Sequence, residues 1–182
     1  MCIRDRVRMI QKVIKYKYEG NTYDSFSQLK QAYPYISFPV GADADVLSTL
    51  GIEKVEEYPS LERCREILKA QAGLFFAKKR DAIRWVEIDG IQYGFDCAAV
   101  DITNFMAAYT PLLIAGTGTT YYKVWLSASQ KGLAELTLDG MTAVYNATRE
   151  GQLAAYAWYE AKIAEIDKAK SIKTLLKITL EE

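Results

Sequence analysis

The sequence predicts an α+β fold, and three stretches carry that expectation. In Arg84 to Asp96 two alternating runs flank Asp89-Gly90, the strongest short-range hairpin signal in the chain. Thr119 to Ser127 is rich in β-branched and aromatic residues; Ser129-Gln130-Lys131-Gly132 follows as a polar turn, and Leu133 to Leu138 supplies a return strand. From Asp139 to Lys168, Met141, Val144, Tyr145, Thr148, Gln152, Ala155, Tyr159, Ile163 and Ile166 recur three or four residues apart, one face of a single long helix. Strands joined by hairpins are antiparallel, so this half reads hairpin, helix, hairpin, long helix and is not doubly wound.

The N-terminal region is a smaller α/β segment. Gln11 to Glu19 alternates Val13, Lys15 and Lys17 against Ile14, Tyr16 and Tyr18, the period of a strand with one buried face. Gly20-Asn21 offers a turn, and Asp24 or Ser25 can cap a short helix over Phe26, Leu29 and Ala32 that Pro34 stops. Tyr33 to Pro39 is expected to be extended. Asp43 and Asp45 precede a second short helix through Val46, Leu47 and Leu50, closed by Gly51 in the left-handed conformation, and Ile52 to Tyr58 resumes a strand pattern. Pro59 suits a first helical turn, after which Leu61, Cys64, Leu68, Ala72 and Phe75 share a face, with Ile67 and Leu74 beside them, as far as about Lys79. The basic cluster Lys78-Lys79-Arg80 complements the negative end of that helix.

The boundary between the halves is expected near Arg80 to Ala82, giving an N-terminal α+β segment over 9–80 and a C-terminal domain over 81–182. Beyond the first hairpin, Asp96 or Asp101 can start a helix through Ile102, Phe105, Met106 and Tyr109, with Pro111 compatible with a kink or a break. Leu112 to Ile114 extend its apolar surface to Gly116. Asp139 is placed to cap the long helix, and Ser171 to cap a final short one holding Ile172, Leu175, Leu176 and Ile178. The opening Met1-Cys2-Ile3-Arg4-Asp5-Arg6 looks like a translated sequencing-adapter remnant of metagenomic reading frames, so residues 1–8 are set aside and Met9 is the expected native start.

Composition narrows the function classes. Half the residues are hydrophobic, enough for a core. With 23 Lys plus Arg against 23 Asp plus Glu, no net field draws the chain to nucleic acid, and no run of about 18 apolar residues suggests a membrane helix. Neither is an expected partner. Cys2, Cys64 and Cys97 lack metal or disulfide spacing, which fits a reducing compartment, and the chain has no His, so the commonest general base and metal ligand is missing. No metal, cofactor or catalytic residue is expected.

Each candidate for chemistry has a plainer reading. Asp43 and Asp45 offer too few oxygens for a cation loop and read as helix capping. Gly116-Thr117-Gly118-Thr119-Thr120 is glycine-rich, but its order is helix, loop, strand, the reverse of a phosphate-binding loop, so it reads as a helix stop. Glu87, Asp89 and Asp96 can be arranged as a carboxylate pair for hydrolysis, but Asp89 is better explained by the turn. The aromatics weigh more: 13 Tyr, 6 Phe and 3 Trp exceed the needs of a core, and Tyr and Trp favour protein interfaces and sugar-stacking surfaces. Tyr121, Trp125, Tyr156 and Trp158 are the candidate interaction surface.

A family resemblance adds to this. Arg84-Trp85 to Asp96, then a helix, a second hairpin and Leu138-Asp139 opening the long helix, resembles the phage-associated domain of unknown function 4376. Ile166-Asp167-Lys168-Ala169 with Ile172 to Ile178 is similar to the ends of such tail proteins. Ile36-Ser37-Phe38-Pro39, Val46-Leu47 and Leu50-Gly51-Ile52 look like the N-terminal segment found in tail-fibre and tail-assembly proteins. The likeness spans about residues 34 to 180 and departs from the family at Gly73 to Phe76 and at the glycine loop. It implies a non-enzymatic tail-fibre assembly factor or minor tail component, binding a tail or fibre protein and, through the long helix, a second copy of itself, in the host cytoplasm during assembly or in the virion tail. A receptor- or carbohydrate-binding tail component is the first alternative, a carboxylate-based hydrolase the second.

Overall fold

The computed structural model describes residues 10–38 and 43–181; the expectations for the opening residues and for Pro39 lie outside these. The fold is α+β, with two antiparallel sheets and a long C-terminal helix. It forms two compact units: residues up to Lys69 with Ile166–Thr179, and Ala70–Glu165 with the residues from Leu180 on. The division runs through the helices Leu61–Arg80 and Leu138–Lys168. A helix carries no linker composition where its packing partners change, so no residue pattern marks the point. No helix among the described residues is long and apolar enough to cross a membrane.

In the first unit, β1 (Val13–Tyr18) is the middle strand, flanked by β2 (Asn21–Tyr23) and, further along the chain, by β3 (Glu53–Glu57). Glu19 and Gly20 both have positive φ, 48° and 79°, the geometry of a two-residue hairpin turn. β2 itself is unexpected, because three residues are too few to show a period. Ser25 caps α1 (Phe26–Ala32), accepting from the Gln28 N–H at 3.1 Å while the Gln28 side chain accepts from the Asp24 N–H. Tyr33 to Ile36 is not extended: the Ile36 N–H donates to the Tyr33 carbonyl at 3.1 Å, and Pro34 presets φ for the second position of that turn. Asp43 caps α2 (Ala44–Thr49), and Gly51 at φ 72° lets the Ile52 N–H reach the Leu47 carbonyl. Leu29, Leu47 and Ile52 are buried with Tyr16, and Phe26, Tyr33 and Phe38 pack around them.

α3 (Leu61–Arg80) starts from Ser60, whose Oγ accepts from the Arg63 N–H at 3.2 Å; Pro59 stands ahead of the cap, outside the first turn. Cys64, Leu68 and Ala72 are buried as expected, but Leu74 is 71% exposed. Arg65 donates to the Ala169 carbonyl at 2.7 Å, and Lys69 pairs with Asp167. The short last helix, Ile172–Leu175, is capped by Ser171.

The second unit is a four-stranded meander in chain order: β4 (Arg84–Ile88), β5 (Ile91–Phe95), then, across α4 (Ala99–Ala115), β6 (Thr119–Ser127) and β7 (Gln130–Thr137). Asp89 (φ 52°) and Gly90 (φ 78°) make the first hairpin turn. Ile91, directly after that turn, is 53% exposed. The second turn is only Ala128-Ser129; Gln130, Lys131 and Gly132 belong to the ladder, polar because they begin an outer strand. Neither Asp96 nor Asp101 caps α4: Ala98 holds the cap position without a side-chain bond, Asp101 lies in the first turn, and Asp96 is engaged elsewhere. The helix passes Pro111 without a break and ends at Gly116, φ 70°, whose N–H donates to the Leu112 carbonyl.

α5 (Leu138–Lys168) is capped by Thr137, which accepts from the Gly140 N–H at 3.1 Å; Asp139 sits inside the first turn, where its charge still meets the helix dipole. Met141 and Val144 join Ile88, Phe95, Phe105, Tyr109, Val124 and Leu136 in the core.

Arg84 ties this unit together. Its guanidinium donates to the carbonyls of Lys79 (2.8 Å), Arg80 (3.2 Å) and Ala82 (2.9 Å), closing the end of α3. It also lies against α5 at Gly151, where a Cβ would stand 2.0 Å from Nε. A helical Gly→Ala exchange normally stabilises by up to about 1 kcal/mol. Here the guanidinium cannot retreat without giving up three carbonyls, so Gly151→Ala is expected to destabilise by about 1–3 kcal/mol, the range for overpacking, read as a lower urea midpoint.

Candidate functional site

Strand pairing fixes which side chains share a face. Trp85 pairs with Gly94, Gly94 with Trp125, and Trp125 with Lys131, so these four form one lateral row across all four strands. Their neighbours Val86, Phe95 and Val124 alternate to the other side and enter the core. The row thus lies on the sheet's outer face, which in an antiparallel sheet with one buried side is ordinarily polar.

Gly94 makes the row possible. A Cβ there would meet Trp125 Cβ at 2.9 Å, Ile83 Cγ2 at 3.0 Å and Trp85 Cζ2 at 3.1 Å, so the Trp85 ring occupies the space over β5 that a side chain would fill. Trp85 remains 45% exposed. Further along the face stand Tyr121, 69% exposed, beside Glu135, and Leu133, 70% exposed, beside Lys123.

Trp125 is held from two sides. Its Nε1–H donates to Asp96 Oδ1 at 2.8 Å, and the Lys131 ammonium stands 4.3 Å from its ring centroid while pairing with Asp96 Oδ2. Burial pushes the Asp96 carboxyl up, but hydrogen bonds from Lys131 and Trp125 outweigh it and hold the group below the usual carboxylate range. The charge of Asp96 is therefore committed to fixing the indole and the ammonium.

Of the expected interaction residues, Tyr121 and Trp125 lie on this face and Tyr156 and Trp158 do not. Tyr156 packs on Phe76 at 4.8 Å between centroids, and Trp158 lies under the Lys79 ammonium at 5.2 Å, both on α5 beside α3. Trp85, Gly94 and Lys131 are missed from sequence, because their partnership depends on register.

The carboxylates do not converge. Glu87 lies towards the hairpin turn, accepting from Gln92 at 3.4 Å; Asp89 is in the turn; Asp96 follows the far end of β5. Among the described residues no group of three Cys, Asp or Glu side chains is placed to hold a metal ion. Cys64 and Cys97 are buried, and burial pushes both thiols up, away from the reactive thiolate. No family model, curated protein or solved structure matches the chain.

The depressed Asp96 carboxyl stabilises the fold above the unfolded-state value of about 3.9, and that contribution is lost as pH falls through the lower folded-state value. Asp96→Asn is therefore expected to cost about 1–3 kcal/mol at pH 7, as for a lost charge-assisted bond, and to lose less further stability than the unsubstituted chain when urea titrations are repeated below pH 4. Equal acid sensitivity in the two proteins would contradict this assignment.

Proposed function

We propose that the chain is a non-enzymatic, phage tail-associated protein, a fibre-assembly factor or minor tail component, and that it binds a tail or fibre protein through the outer face of the four-stranded sheet. The observation that supports this reading is the Trp85–Gly94–Trp125–Lys131 row: large aromatic area with few rotatable bonds, kept at the surface by the Asp96 contacts. Fixed aromatics at a surface are typical interface anchors, because little side-chain entropy is lost when they are covered. Lys123, Lys131 and Glu135 mix charges around them, as at the rim of a protein interface. The site of action on this reading is the host cytoplasm during assembly or the virion tail. Self-association, on this reading, uses the long helix α5.

Tagged protein expressed with its genomic neighbours is expected to retain a fibre or baseplate product. Trp85→Ala and Tyr121→Ala are each expected to weaken that capture by tenfold or more, the effect of losing an anchor worth about 2 kcal/mol; Tyr121→Ala, at a position 69% exposed, does so with little change in melting temperature, which separates lost binding from the lost packing over Gly94 in Trp85→Ala. Capture of no neighbour, or unchanged capture by both variants, would refute the reading.

Carbohydrate binding is the second reading, favoured by the proximity of the Trp125 indole to the Asp96 carboxylate and the Lys131 ammonium, since sugar sites combine a stacking ring with polar groups. It requires glycan-array signal that Trp125→Ala abolishes. A blank array removes it.

A further inference from the structure

On the core side of the same unit, α4, α5, the end of β5 and Tyr122 of β6 leave a recess of about 290 Å³. It opens to solvent beside the exposed Tyr145 and Arg149, and at about 30 Å³ of liquid volume per water it has room for several waters or one small organic molecule.

Part of its wall is apolar, with aromatic rings among it. Ile102, Phe105 and Met106 come from α4, Val144 from α5 and Phe95 from β5. The Phe95 and Tyr122 rings lie nearly parallel with centroids 6.3 Å apart, while Phe105 meets Tyr122 edge-on at 5.8 Å. Such walls suit a flat or branched apolar body.

The lining also carries polar groups: the Tyr122 and Tyr145 hydroxyls, the Asp96 carboxylate and three further side chains of α5. Thr148, Arg149 and Gln152, from one turn of α5, supply donors. Arg149 forms no ion pair or hydrogen bond with any described residue, and its helix neighbours at three and four positions are Tyr145, Asn146, Gln152 and Leu153, none of them acidic. Asp96, the lone carboxylate in the lining, already has both oxygens engaged by Trp125 and Lys131. The unanswered charge at the recess is positive, and a guanidinium fork matches a carboxylate.

We propose that this recess binds a small monocarboxylic acid with an aromatic or branched apolar body, its carboxylate on Arg149 and its body among Phe95, Phe105, Met106 and Val144. This goes beyond the sheet-face reading and does not depend on it: the recess is on the opposite side of the sheet and asks for a small molecule, not a protein.

The test uses the full chain labelled at its methionine methyls, with the Met106 signal assigned from Met106→Leu, titrated with 3-phenylpropionate and with the neutral 3-phenylpropanol. A saturable shift of the Met106 methyl is expected, with the acid bound about tenfold tighter than the alcohol, as for one charge-assisted contact. Arg149→Gln, at an exposed position, is expected to keep the melting temperature, still admit the alcohol and lose the preference for the acid. No saturable shift with either compound, equal affinity for both, or an undiminished preference in Arg149→Gln would each overturn the proposal. Loss of partner capture in Trp85→Ala leaves these outcomes unaffected, so the two readings fail separately.

Discussion

The guanidinium of Arg84 is the constraint from which the geometry of the second unit follows. It begins β4 and donates to three carbonyls at and just beyond the end of α3, where the helix leaves orphan acceptors and the negative end of its dipole. At the same time it rests on α5 at Gly151, whose missing side chain leaves room. Strand, helix end and long helix are thereby fixed to one group. Because adjacent strand residues point to opposite faces, an Arg84 committed to the helix side sends Trp85 to the outer side of the sheet. The exposed aromatic row is thus a consequence of how the core side is anchored.

Gly94 and Asp96 translate that placement into a surface. Gly94 weakens its strand in isolation, since it has no side chain to pack, yet the space it leaves is filled by Trp85 and the Trp125 stem. Asp96, two residues on, holds Trp125 and Lys131 on the outer face and also lines the recess behind the sheet. One carboxylate therefore contributes to both surfaces. Its lowered protonation range follows from serving as acceptor for two fixed donors.

Much of the fold was legible because the relevant signals are local. Asp89-Gly90 specifies a tight hairpin by permitting positive φ at both central positions, Gly51 and Gly116 stop helices for the same reason, and Ser25, Asp43 and Ser171 cap where a short polar side chain precedes an apolar period. Local signals failed where two residues compete or where the feature is shorter than its period. Thr137 took the cap expected of Asp139, Ser60 stood inside Pro59, and β2 is three residues long. The candidate site was half legible: Tyr121 and Trp125 stand out by residue type, but Trp85 and Gly94 join them only through the β5–β6 pairing, which closes across the whole of α4, and Lys131 joins through the irregular β6–β7 register. Register of that range is set by tertiary packing, and no short stretch encodes it.

The proposed function resides in an exposed, prearranged sheet face. The most direct measurement is amide hydrogen exchange on the chain alone and bound to its captured tail or fibre partner. Slower exchange in the complex along β5 and β6, around Gly94 and Trp125, with Tyr156 to Tyr159 of α5 unchanged, is the predicted result. Slowing confined to α3 and α5, with the sheet exchanging as in the free chain, would contradict it.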